Sequence, residues 1–106
     1  MNKIFEIPNQ IKLNHITYKT AFVKNLKDSE GDDLLGMYDS SCQTIKICTQ
    51  IKDPSGNEVQ ISEEMMLYTY LHELGHAYSF HSGVEDSEVI AQTIANFLMD
   101  FFASYE

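Results

Sequence analysis

The sequence predicts an α+β fold: a small, mostly antiparallel β-sheet followed by two helices. Three observations carry this. Between Ile11 and Ile51 apolar and polar residues alternate, the period of two expected of half-buried strands. From Ser62 onward the apolar spacing changes to three and four, the period of a helix. Between the two regimes stands Asp53-Pro54-Ser55-Gly56-Asn57, a run of turn-forming residues. Strands grouped before helices define the α+β class, and a chain of 106 residues suits a single domain covering 1–106.

Taken in order, residues 3–6 are expected to form a short strand ended by Pro8-Asn9. Ile11 to Val23 then reads as one half-buried strand, with Ile16, Tyr18 and Phe22 on one parity and His15, Thr17 and Lys19 on the solvated one. Lys24 to Asp33 is a charged loop that turns at Gly31-Asp32-Asp33. Leu34–Asp39 and Gln43–Ile51 form a hairpin across Asp39-Ser40-Ser41-Cys42, with Ile45, Ile47, Thr49 and Ile51 on one face. Ser62 is the N-cap of the first helix, and Glu63 and Glu64 suit its first turn. Ser82-Gly83 should stop that helix. The second helix is expected from about Asp86, its N-cap, to Tyr105. Val84, Ala91, Ala95, Leu98 and Phe102 form its apolar stripe, widened by Ile94, Phe101 and Tyr105. The first helix should pack on the sheet and the second on the first.

Charge excludes two classes of partner. The net charge is −9, the chain has no arginine, and all seven lysines precede residue 61. Residues 61–106 hold eight acids and no basic residue apart from histidine. Such a surface repels a phosphate backbone and an anionic membrane alike. No stretch approaches the ~18 apolar residues of a membrane span, and Met-Asn-Lys-Ile-Phe-Glu-Ile-Pro carries no secretory signal. A cytoplasmic protein is therefore expected, and its two cysteines, Cys42 and Cys48, should be free thiols.

The chemistry is concentrated in His72-Glu73-Leu74-Gly75-His76, which matches H-E-x-x-H. Residues four apart on a helix lie one above the other, so His72 and His76 can aim two imidazoles at one Zn²⁺ ion. Glu73, beside the first histidine, is placed to reach a water on the metal and accept its proton. Leu67, Leu71, Leu74 and Tyr78 recur at helical spacing and support the helix. Gly75 weakens the helix by about 1 kcal/mol relative to alanine. Close approach of another backbone supplies a packing reason for it.

A third protein ligand must come from downstream, where His81, Glu85, Asp86 and Glu88 are available. The metzincin pattern requires glycine at 79 and histidine at 82, and both positions are serine. His81, five residues beyond His76, is turned roughly 140° away on a continuing helix, so it is expected near the helix end, exposed or at the margin of the cleft. Glu88 lies at the edge of the second helix's apolar stripe. There an ionised carboxylate is costly unless something compensates it, and a metal would. Glu88 is the favoured ligand and Glu85 the second candidate. Tyr38, Tyr70, Tyr78 and His81 are candidates for stabilising an oxyanion.

HELGH, a short turn, and then Glu88-Val89-Ile90-Ala91 opening an apolar helix resemble the gluzincin arrangement. The similarity is to small phage and mobile-element metallopeptidases of the ImmA/IrrE-like and SprT-like kinds. The hairpin Gly36-Met37-Tyr38-Asp39 to Thr44-Ile45-Lys46-Ile47 resembles the strand pair before their active helix, so the likeness spans about residues 34–100. It implies a zinc-dependent endopeptidase acting on a protein or peptide substrate. In zincin-like proteases the substrate lies as an extra strand along a sheet edge, and residues 44–50 are expected to present that edge. The alternative is an acidic binding or inhibitor protein on the same scaffold, with a structural or vestigial metal site.

Overall fold

In the computed structural model, residues 6–83, 85 and 87–104 are described. The strand expected at 3–6 falls almost entirely outside them, as do Val84, Asp86 and Tyr105. The described elements are β1 (Gln10–Leu13), β2 (Ile16–Lys24), β3 (Gly36–Asp39), β4 (Thr44–Lys52), β5 (Glu58–Gln60), α1 (Glu63–Ser82) and α2 (Glu88–Ser104). This is the α+β class. The strands form one mixed sheet in the order β1-β2-β4-β3, and β5 adds to β4. All pairings are antiparallel except that of β2 with β4.

The single strand expected over Ile11–Val23 is a hairpin instead. Leu13 pairs with Ile16, leaving Asn14-His15 as a two-residue turn. Both turn residues have positive φ, 51° and 68°, which a primed turn requires in order to match the twist of its strands. Asparagine tolerates that region well, but histidine in place of glycine hides the turn from sequence reading. His15 is exposed at its tip. β5 was likewise not foreseen. It is only three residues long and every residue is exposed, so no alternation announces it. It is set up by the loop before it, where the Asp53 carboxylate accepts from the Ser55 and Asn57 amides at 2.9 Å.

β4 is the centre of the sheet, and this overturns the expectation that residues 44–50 present a free edge. β2 pairs along one side of β4, while β3 and then β5 pair along the other. The free edge nearest the helices belongs to β3. Ile45 and Ile47 are fully buried toward the helices as expected, but the buried parity then changes to Cys48 and Gln50. The change accompanies a register shift between Val23 and Lys24 on the neighbouring strand, since a bulge re-aims side chains.

α1 packs against β3 and β4, and α2 packs on α1. Ser62 caps α1, its hydroxyl accepting from the Met65 amide at 3.1 Å. Gly83 ends it in the left-handed region at φ 73°, a conformation open to glycine. The expected N-cap of α2, Asp86, lies outside the described residues; the Ser87 hydroxyl accepts from the Ile90 amide at 3.3 Å and its carbonyl from the Ala91 amide at 3.0 Å. The core joins Tyr18, Ile45 and Ile47 of the sheet to Leu67, Tyr70, Leu71 and Ala77 of α1 and Ala95 of α2. Cys42 is exposed and Cys48 buried, both as free thiols. No helix among the described residues is long and apolar enough to cross a membrane.

Candidate metal centre

Two helices and the turn between them assemble the site. α1 stacks His72 and His76 one turn apart, with ring centroids 4.8 Å from each other. The chain reverses at Gly83, and α2 starts at Glu88, so the first residue of the second helix stands over the two imidazoles. His76 Nε2 lies 2.6 Å and His72 Nε2 2.8 Å from the same Glu88 oxygen, Oε1, and the two nitrogens are 3.2 Å apart. Among the described residues, His72, His76 and Glu88 are the group whose ligand atoms converge for a metal.

The dimensions of this triangle can be compared with those of an ion. Ligands about 2.0–2.2 Å from a tetrahedral zinc stand ~3.3 Å apart. The two nitrogens already have that spacing. The carboxylate oxygen is closer because hydrogen bonds hold it, and it would retreat by about half an ångström to admit the ion. Two neutral imidazoles and a carboxylate are a donor set that zinc accepts, so the residues fit the group. The imidazoles are largely buried, whereas the Glu88 carboxylate stands at the mouth of the site. The hydrogen bond from His76 holds the Glu88 carboxyl below the usual carboxylate range, outweighing the upward push of burial, and His72 adds to it.

His72 also carries a cost. Its Nδ1 is buried with no hydrogen-bond partner among the described residues. With Nε2 engaged as a ligand, the ring proton sits on Nδ1, where an unpaired buried N–H costs on the order of 1–3 kcal/mol. His72 is thus placed by packing, with the Tyr68 ring 6.0 Å from it, and not by a second hydrogen bond.

Beside the triangle opens a cleft of about 280 Å³ between α1 and the approach to β3, lined by Asp33, Leu34, Leu35, Gly36, Tyr68, Thr69, His72, Glu73 and Gln92. Glu73 therefore faces the same cleft as His72. Gly36 is what lets β3 come this near to the helix. A Cβ built there would collide with the Thr69 methyl and sit 3.3 Å from Glu73 Cγ and 3.1 Å from the Lys46 carbonyl oxygen. Sequence reading placed Gly36 in the hairpin but gave neither it nor Tyr68 nor Thr69 a part in the site. A glycine inside a strand run is a recognised sign of close backbone approach, so Gly36 carried a signal; Tyr68 and Thr69 carried none beyond their place one turn before the motif.

The remaining candidates lie elsewhere. Glu85 is exposed and does not join the triangle, and Asp86 is outside the described residues. His81, expected to be exposed or at the margin of the cleft, is half-buried against the sheet, where its Nε2 and the Tyr38 hydroxyl share a hydrogen bond of 2.6 Å. The 140° rotation away from His76 carries it there. Of the four residues considered for an oxyanion, Tyr70 is in the core, Tyr38 and His81 hold each other, and none of the four lines the cleft. Gly75 does lie against α2, but a methyl there would meet Ala91 at 3.7 Å, an ordinary contact. Packing does not demand glycine at this position.

No family model matches the chain, and no curated protein or solved structure matches it either. The resemblance to ImmA/IrrE-like and SprT-like peptidases rests on the quoted residues alone.

Proposed function

We propose that the chain is a zinc-dependent metalloendopeptidase in which His72, His76 and Glu88 hold the ion and Glu73 is the general base. The observation that carries this reading is the convergence of the three ligand atoms beside a cleft that also receives Glu73. A metal held by these side chains supplies Lewis-acid chemistry, acidifying a water and polarising the scissile carbonyl. Glu73 takes the proton of the attacking water and delivers it to the departing amine, so that the C–N bond breaks with the nitrogen already protonated.

The substrate strand is assigned to β3, not to β4. In antiparallel pairing the backbone groups of alternate residues point away from the partner strand. The Cys48 amide donates to the Leu35 carbonyl, so by the register Met37 and Asp39 also face β4. The N–H and C=O groups of Gly36 and Tyr38 face outward, toward an added strand. Leu34, Leu35 and Tyr68 offer apolar contacts to its side chains.

The test separates chemistry from metal binding. Glu73→Gln keeps the side chain's shape and removes the proton acceptor. Zinc content should stay at the wild-type level while cleavage of a peptide library falls by on the order of 10²-fold or more. Equal cleavage by mutant and wild type removes Glu73 from the mechanism. Zinc-loaded wild type that cleaves no member of the library overturns the peptidase assignment.

A further inference from the structure

The outer face of α2 has no role in the proposed peptidase. Ala91 and Ala95 are buried against α1, with Leu98 and Phe102 packed beside them. A second apolar row runs along the same helix. Ile90, Ile94 and Phe97 recur at intervals of four and three, which places them in line on one face, and they are 48%, 45% and 64% exposed. The Phe97 ring stacks on Phe101 with centroids 6.5 Å apart. Single exposed apolar side chains are common on any protein, but a continuous ridge led by an aromatic anchor marks a contact surface.

From this ridge and the charge around it, we infer that the outer face of α2 docks a basic amphipathic helix of a partner protein. Charge selects the occupant. α2 contains no lysine or arginine, its flank carries Asp100, and the exposed Glu85 precedes it. A helix with an apolar stripe edged by lysine or arginine would bury Ile90, Ile94 and Phe97 and place its cations beside those acids. A second copy of this chain fits less well. Pairing two such helices sets two chains of net charge −9 together through their most acidic halves. A membrane surface fits less well again, because helices that lie on membranes carry cations along the polar face.

Two synthetic amphipathic helices of equal length test this, sharing one leucine face and differing in lysine or glutamate on the flanks. Binding to the full chain is read by amide chemical-shift changes and by fluorescence anisotropy. The lysine peptide should bind with its shifts centred on residues 90–101, at least ~10-fold more tightly than the glutamate peptide, and should weaken as salt is raised. Ile94→Gln and Phe97→Gln should each weaken it ~10-fold with helix content unchanged by circular dichroism, while Val59→Gln on β5, also an exposed apolar site, should leave it as it was. Equal binding of both peptides, no binding of either, or equal loss in all three variants overturns the inference. Wild type sedimenting as a dimer that Phe97→Gln converts to monomer assigns the face to a second copy instead, and pelleting with anionic vesicles assigns it to a membrane.

Discussion

α1 carries three histidines, and the structure places them in two different environments. His72 lines a cleft, and it converges with His76 on the Glu88 carboxylate. His81, little more than one turn further on, is half-buried among Tyr18 and Tyr38, with ring centroids 5.7 and 6.0 Å away. Burial pushes the Tyr18 and Tyr38 phenols above their usual range. The residue type is the same, the helix is the same, and only the angle about its axis differs. In the cleft, histidine meets an anion brought by another element. Under the sheet it meets hydroxyls and apolar rings and becomes a strut between β3 and the end of α1. Identity therefore offers a donor atom, and the partner across the gap decides what that atom meets.

The comparison breaks most readily at the cleft. His76→Ala should reduce bound zinc from about one per chain to a trace, measured by elemental analysis after gel filtration. The His81→Phe protein should keep its zinc. If both variants lose the metal equally, the two histidine environments are not distinct in function.

A smaller effect separates the carboxylates. Glu88→Ala should weaken zinc affinity at least ~10-fold in competition with a chromophoric chelator, and Glu85→Ala should change it less than ~2-fold. The reverse order would move the third ligand to Glu85.

The strut is probed by Tyr38→Phe, which leaves His81 Nε2 without its hydrogen-bond partner. The variant should lose ~1–3 kcal/mol in urea unfolding with zinc stoichiometry unchanged. An unaltered midpoint would mean that the hydrogen bond contributes nothing. The smallest change is expected at the helix contact. Gly75→Ala has room against Ala91 and should stabilise the fold by up to ~1 kcal/mol. Destabilisation there would show that the helices close further than 3.7 Å allows.

Much of this architecture was legible in the residues. The Ser62 cap and the Gly83 stop place the first helix nearly to the residue, because each rests on local chemistry, whereas the turn run Asp53–Asn57 does not end the β half, since β5 follows it. His72 and His76 share a face because helix geometry stacks residues four apart. Glu88 was singled out because a carboxylate at the edge of an apolar stripe needs compensation, again a local argument.

Order within the sheet was a different matter. β4 reads the same whether it lies at an edge or at the centre, since alternation reports which faces are covered and says nothing of which strands lie alongside. The parallel pairing of β2 with β4 joins segments more than twenty residues apart in sequence, and it moved the free edge to β3. The turn at Asn14-His15 escaped because its φ angles are imposed by the pairing of Leu13 with Ile16 and not by the residues' own preference. Thus the sequence by itself determined the α+β class, the Ser62 cap and Gly83 stop of α1, and the identity of the converging side chains. Only the tertiary structure decided which strand borders the cleft, that Gly36 admits it there, and that His81 turns to Tyr38, because those outcomes depend on contacts between segments that no local pattern encodes.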